Sequence, residues 1–307
     1  MKRLMIMAVV AAGVACGIVV SMPDPKTRAI PLRVVLIPAD GGTEDGTLAD
    51  YRPVFTAIER ETGLAFELRV AQSYSAVVES MCNGTADIAF VGPVTFLQAQ
   101  DRGCAELLAV AVTSGRSIYY SAFFARRGGG LTKLADIRGK RAAFGDVNST
   151  TSFVYPVAML VEAGIDPVED LRAVRLTGSH ANSLSALLGN QVDVAALSFE
   201  SYNKALRENL TGVRDVIVVA RSEPIPNAPL IMNAQLADAT KARLKTAFET
   251  IATRPGVTAD MVRGYGGAKV DGYDTRFPAT RFSTAAAKMA VVDRQLTGAL
   301  VARAAEN

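Results

Sequence analysis

The 307-residue chain carries one histidine, His180, and three cysteines, Cys16, Cys82 and Cys104. Their spacing matches no zinc pattern, so no metal site is expected. A single histidine leaves little for acid–base chemistry. No G-x-S-x-G elbow accompanies the many serines, so the nucleophile-and-base signature of an enzyme is missing. The G-x-x-x-x-G-K-[ST] pattern of a nucleotide P-loop is missing too. Basic and acidic residues nearly cancel, 33 against 30, for a formal charge of +3. The longest cationic pieces, ARR at 125–127 and IRGKR at 137–141, read as solvated turns. No basic stripe is present to hold nucleic acid. Glu44 and Asp45 in DGGTEDG fit no calcium loop and read as a polar loop at a cleft rim. The expectation is a non-enzyme without cofactor, metal or catalytic residue.

Half of the chain is apolar, enough for one large domain or two medium ones. The first 30 residues have the pattern of a leader: Lys2 and Arg3, an apolar run from Leu4 to Val20, then prolines and charges. They read as a signal peptide or a retained membrane anchor, and they predict export to the periplasm. GVAC places Cys16 near a lipoprotein position, although Gly13 stands where a larger aliphatic is usual. Export to an oxidising compartment makes the remaining pair, Cys82 and Cys104, a predicted disulfide, with two buried thiols as the alternative.

Beyond the leader the chain opens β–α–β. LRVVLIP (32–38) and LAFELRVA (64–71) are strands, and YRPVFTAIERETG (51–63) is a helix with Val54, Phe55 and Ile58 on one face. That order predicts a parallel sheet covered by helices. SYSAVVESMCNGTADIAFVGP (73–93) then runs helix, glycine stop, aspartate, strand, and SHANSLSALLGNQVDVAALSFE (179–200) repeats the scheme. The echo predicts two similar α/β lobes. IYYSAFFA (118–125) and SEPIPNAPLIMN (222–233) are extended and read as the crossings between them. The first lobe is therefore expected from 31–124 plus 223–307, and the second from 125–222. The helical tail, 237–307, is expected on the first lobe.

AAFGDVNSTTSFVYP (142–156) delivers a strand to four successive hydroxyl residues, Ser149, Thr150, Thr151 and Ser152, at the mouth of a helix. One such residue suffices for an N-cap. Four beside the free N–H groups of a helix end suggest an anion site, with an overbuilt cap as the bland alternative. His180 follows the strand LRAVRLTG (171–178) at another strand-to-helix edge, and Tyr74 holds the matching edge in the first copy. Open α/β sheets bind ligands at such carboxyl ends.

GDVNSTTSFVYP, followed by TGSHANSLSALLGNQVDVA and FE, resembles the phosphonate-binding subfamily of periplasmic solute-binding proteins of ABC importers. YSAVVESMCNGTADIAFVGPVTFLQA fits the family's first-lobe segment, and the likeness covers roughly residues 32–235. The resemblance implies a type II two-lobed fold with the ligand cleft between lobes. It implies a monomer that binds phosphonate, phosphite or a related oxyanion and meets an ABC permease, without nucleic acid. Ser149, Thr150 and Ser152 fall on the family's phosphonyl-oxygen donors, with Thr151 a backbone or hydroxyl donor. His180 falls on the family histidine that contacts the same oxygens. Tyr74 and Tyr119 fall near aromatic ligand contacts. Glu200 falls on a carboxylate that faces the ammonium in aminoalkylphosphonate binders. The chain departs from the pattern in three places. Val147 replaces a common proline, Thr151-Ser152 stand for Ser-Gly, and Ala228 stands where an aspartate would grip an ammonium. A smaller or uncharged substituent then fits better. Some relatives are oxyanion sensors for a membrane kinase, and that is the alternative function.

Overall fold

The computed structural model of the chain describes residues 30–39 and 44–306. The leader reading, with Lys2, Arg3 and Cys16, falls outside them. Among the described residues no helix is long and apolar enough to cross a membrane.

The first half runs β1 (Leu32–Leu36), α1 (Glu44–Thr62), β2 (Phe66–Val70), α2 (Tyr74–Cys82), β3 (Ile88–Phe90), α3 (Pro93–Asp101) and β4 (Ala105–Val112). The chain then crosses through β5 (Ile118–Tyr119) into β6 (Ser121–Arg126), β7 (Arg141–Phe144), α4 (Tyr155–Glu162), β8 (Ala173–Leu176), α5 (His180–Leu188), β9 (Val194–Ser198), α6 (Phe199–Arg207) and β10 (Val216–Arg221). It returns by β11 (Ile225–Pro226) to β12 (Pro229–Asn233), α7 (Asp238–Thr250), β13 (Gly272–Asp274), α8 (Ser283–Val291) and α9 (Arg294–Ala305).

Two sheets result. The first has the order β13-β4-β12-β3-β1-β2, and the second β10-β6-β9-β7-β8. β1 lies parallel to β2 and β3, and β7 parallel to β8 and β9; the crossing strands β6 and β12 pair antiparallel with β9 and β3. β5 and β11 pair with each other between the sheets, where the two crossings meet. Strands with helices on both faces are nearly continuous apolar runs, as VAALS in β9 and PLIMN in β12 are up to their last residues, Ser198 and Asn233, and both are buried along their whole length. Val54, Phe55 and Ile58 of α1 are sealed against the first sheet.

The sequence echo is a structural one. Asp87 accepts the Arg33 backbone N–H at 2.8 Å and grips its guanidinium at 2.7 Å, while Asp193 does the same to Arg141 at 2.9 and 2.7 Å. Each aspartate thus pins the start of the neighbouring parallel strand. Gly84 ends the first copy's helix at φ 66°, whereas in the second copy the left-handed turn falls on Asn190 at φ 58°. Asparagine is the common substitute for glycine there.

The structure corrects several boundaries. Glu44 and Asp45, expected in a loop, are the first two residues of α1. The strand expected over 118–125 breaks at Tyr120 into β5 and β6. The largest correction concerns the tail. α7 covers the first sheet, but α9 lies on the second, not on the first lobe. Leu300 is fully buried in a cluster with Leu171 and Val174, and Arg303 donates to the Arg172 carbonyl at 3.3 Å. α8 bridges the lobes, with Lys288 between Glu162 of α4 and Glu223 of the return crossing. A short amphipathic helix fits any apolar groove, and its spacing carries no record of which one.

Candidate functional site

β7 ends at Phe144, and the chain turns at Gly145. Ser149 caps the following helix, its hydroxyl accepting the Ser152 N–H at 3.2 Å. Residues Thr150–Val154 form one wide turn, with Val154 N–H donating to the Ser149 carbonyl at 3.0 Å, before α4 proper begins. Such wide turns leave extra backbone N–H groups uncommitted at the helix start. All four hydroxyl residues are buried. Ser149, Thr150 and Thr151 line a small closed cavity between the lobes.

Ser152 does not line it. Its hydroxyl lies against the Cα of Gly145, where an added Cβ would come within 2.1 Å of Ser152 Oγ. The expected fourth donor is therefore turned toward the glycine.

His180 is the first residue of α5, capped by Ser179, whose hydroxyl accepts the Asn182 N–H at 3.1 Å. The ring is buried and sits on the cavity wall. Nδ1 accepts the Ser198 N–H at 3.2 Å, so the ring proton resides on Nε2, 3.5 Å from Ser149 Oγ. Burial lowers its pKa from 6.5 to about 3. The histidine is thus a neutral N–H donor aimed at the same point as the hydroxyls.

Tyr74, the first residue of α2, and Tyr119, at the end of β5, supply the first-lobe wall. Burial first, then the Glu200 carboxylate, pushes the Tyr119 phenol well above its ordinary pKa, so it stays a donor. Glu200 occupies the first turn of α6 and is not on the cavity wall.

Tyr265 also lines the cavity and was not foreseen from sequence. Its ring meets His180 and Tyr119 edge-on, each at 6.0 Å between centroids. Its one local signal is the glycine pair that follows: Gly266 and Gly267 both have positive φ, 65° and 67°, and turn the chain sharply inward.

Four helix N-termini thus converge: Tyr74 begins α2, Gly92 caps α3, Ser149 caps the turn into α4, and His180 begins α5. Each brings first-turn N–H groups without intrahelical partners and a partial positive charge. Among the described residues no Lys, Arg, Asp or Glu side chain lines the cavity. The cavity volume is about 10 Å³, about one water molecule's room, so the lobes are shut. The hydroxyl loop itself closes the gap. Thr150 Oγ1 accepts the Val94 N–H at 2.9 Å, Asn148 Oδ1 accepts Gln98 Nε2 at 2.9 Å, and Asp146 accepts the Tyr74 N–H at 3.3 Å. Burial raises the Asp146 pKa.

Cys82, at the end of α2, and Cys104, just before β4, form a disulfide with their Cα atoms 4.7 Å apart. Among the described residues no group of His, Cys, Asp and Glu is arranged to hold a metal ion.

A family model described as ABC transporter, phosphonate, periplasmic substrate-binding protein matches residues 42–272. The chain is 30% identical over 180 residues to the phosphate-import protein PhnD of Mycolicibacterium smegmatis, covering 55% of each chain. It is 24% identical over 218 residues to the phosphonates-binding periplasmic protein of Escherichia coli, covering 69% of this chain and 64% of that one. The chain therefore spans 55% and 64% of these relatives' lengths. Among solved structures, PhnD1 from Prochlorococcus marinus in complex with methylphosphonate aligns with a TM-score of 0.72 at 14% identity, over 85% of this chain and 97% of that one. At that identity the likeness is one of fold.

Proposed function

Since the chain belongs to the phosphonate-binding family of periplasmic substrate-binding proteins of ABC transporters, we propose that it captures a small phosphorus oxyanion outside the cytoplasm and delivers it to an ABC permease. One observation carries this reading. Hydroxyls, a neutral histidine N–H and four helix N-termini converge on a closed cavity that, among the described residues, no charged side chain lines. Such donors satisfy tetrahedral oxygens without an ion pair, and the helix ends favour negative charge.

The wall opposite the donors narrows the class. Ile37, Ala228 and Tyr265 are apolar or aromatic there, and among the described residues no carboxylate lines it to receive an ammonium. Phosphate, phosphite and methylphosphonate fit this chemistry, and aminoethylphosphonate does not. The named roles of the two curated relatives, phosphate import and phosphonate binding, support the same class. The family match favours an importer's receptor over a kinase sensor. We assign Ser149, Thr150, Thr151 and His180 as oxygen donors and Tyr74, Tyr119 and Tyr265 as the closing wall. The match to a family of substrate-binding proteins supports binding without turnover.

A thermal-shift screen against phosphite, methylphosphonate, phosphate, aminoethylphosphonate, arsenite and sulfate tests the proposal. A ligand at one hundred times its Kd stabilises by about 2.7 kcal/mol. Stabilisation by phosphite, methylphosphonate or phosphate is expected. Response to none of these, or to aminoethylphosphonate alone, refutes the assignment.

A further inference from the structure

α6 and its cap, Ser198, carry a line of contacts that begins beside the cavity and runs on to the other lobe. Ser198, Ser201, Lys204 and Arg207 follow one another in steps of three, so each neighbours the next along the helix. The Ser198 N–H bonds His180 within the second lobe, whereas Ser201 Oγ, 3.4 Å from the Tyr265 hydroxyl, and Arg207, donating to the Gly266 carbonyl at 2.8 Å, reach across to the first. Lys204 pairs with Asp50 of α1 at 2.5 Å, from one lobe to the other. Their side chains are only 8% and 12% exposed. Gly267 is fitted to the pair, since a Cβ there would come within 2.5 Å of Asp50 Oδ1. Neither Lys204 nor Asp50 lines the cavity.

We propose that Lys204 and Asp50 are positioning residues that latch the lobes shut and set how long a bound oxyanion is retained. With the lobes apart both groups are hydrated and attract each other weakly. Closure strips both of water, which is tolerable only because the partner is in place. Removing one partner leaves a buried unpaired charge in the closed form and costs the open form nothing. The effect therefore falls on the closed population and the dissociation rate, while the donors at the ligand stay untouched. The same contacts hold the Tyr265–Gly267 turn, so the latch also keeps Tyr265 on the cavity wall.

The kinetic half of the test rests on the proposed oxyanion site, and the scattering half does not. Small-angle X-ray scattering of the ligand-free protein compares wild type with Lys204→Met, Asp50→Asn and the charge-swapped Asp50→Lys/Lys204→Asp. Stopped-flow mixing with methylphosphonate follows release. The single variants should show a larger radius of gyration and release methylphosphonate about thirtyfold faster, with association unchanged. The swap should restore both toward wild type. The latch is overturned if a folded single variant matches wild type in both measures, or if the swap restores neither. If Lys204→Met does not fold, Lys204→Gln and Asp50→Asn give the same comparison. If wild type does not bind methylphosphonate, that ligand assignment fails, and the scattering comparison still decides the latch.

Discussion

His180 Nδ1 accepts the backbone N–H of Ser198, and that bond leaves the ring one way to meet a ligand, as an Nε2–H donor. Replacing His180 with alanine removes a hydrogen bond to a charged group, worth about 1.5–3 kcal/mol. Calorimetry should then show affinity for the bound oxyanion reduced about ten- to a hundredfold. Unchanged affinity would remove His180 from the site.

The same ring should mark the pH dependence of stability. Its folded pKa of about 3 lies below the ordinary 6.5. Between those values the unfolded chain takes up a proton that the folded chain refuses. The contribution is therefore fully present above about pH 6.5 and is lost as pH falls toward the folded value. Urea midpoints at about pH 7 and pH 5 should separate in wild type by more than in His180→Gln. Equal separations would contradict the buried neutral ring.

Gly145 and Ser152 should behave as one unit. A Cβ at residue 145 collides with the Ser152 hydroxyl at 2.1 Å, so Gly145→Ala should destabilise by about 1–3 kcal/mol. Adding Ser152→Gly vacates the space, and the double variant should regain most of the loss in thermal melts. Additive losses would place the collision elsewhere.

Ser149→Ala should weaken oxyanion binding less than His180→Ala, because Thr150, Thr151 and the backbone N–H groups remain. It also removes a helix cap and should lower stability by about 1 kcal/mol. Separate binding and unfolding titrations distinguish the two losses.

The Cys82–Cys104 bridge closes a loop of sequence separation 22. Its reduction, or Cys82→Ala/Cys104→Ala, should cost about 3 kcal/mol. Melting with and without reductant measures this, and the double variant should be indifferent to reductant.

Much of this was legible because the signals are local. Four hydroxyls at a strand-to-helix edge, the lone His180 at a second such edge, and the repeated helix–Asp–strand unit each announce themselves within a few residues. Tyr265 did not, because it reaches the cavity from the tail by a turn whose only mark is Gly266-Gly267. The direction of Ser152, toward Gly145 and away from the cavity wall, was not legible, since it is set by the missing Cβ of Gly145, a contact across the turn. Glu200 sits close enough to raise the Tyr119 pKa and yet off the wall, a difference of side-chain direction that no spacing encodes.

The placement of α9 changes the mechanics of opening. A body joined to another by two neighbouring cords, here the β5–β6 crossing and the β10–β11 return, swings freely about the line through them. This chain passes between the lobes a third time, through α8 and the two residues Val292 and Asp293, before α9 fastens to the second sheet. That strap has a fixed length. The lobes can part only until it draws taut, so the fold itself sets the width of the open mouth.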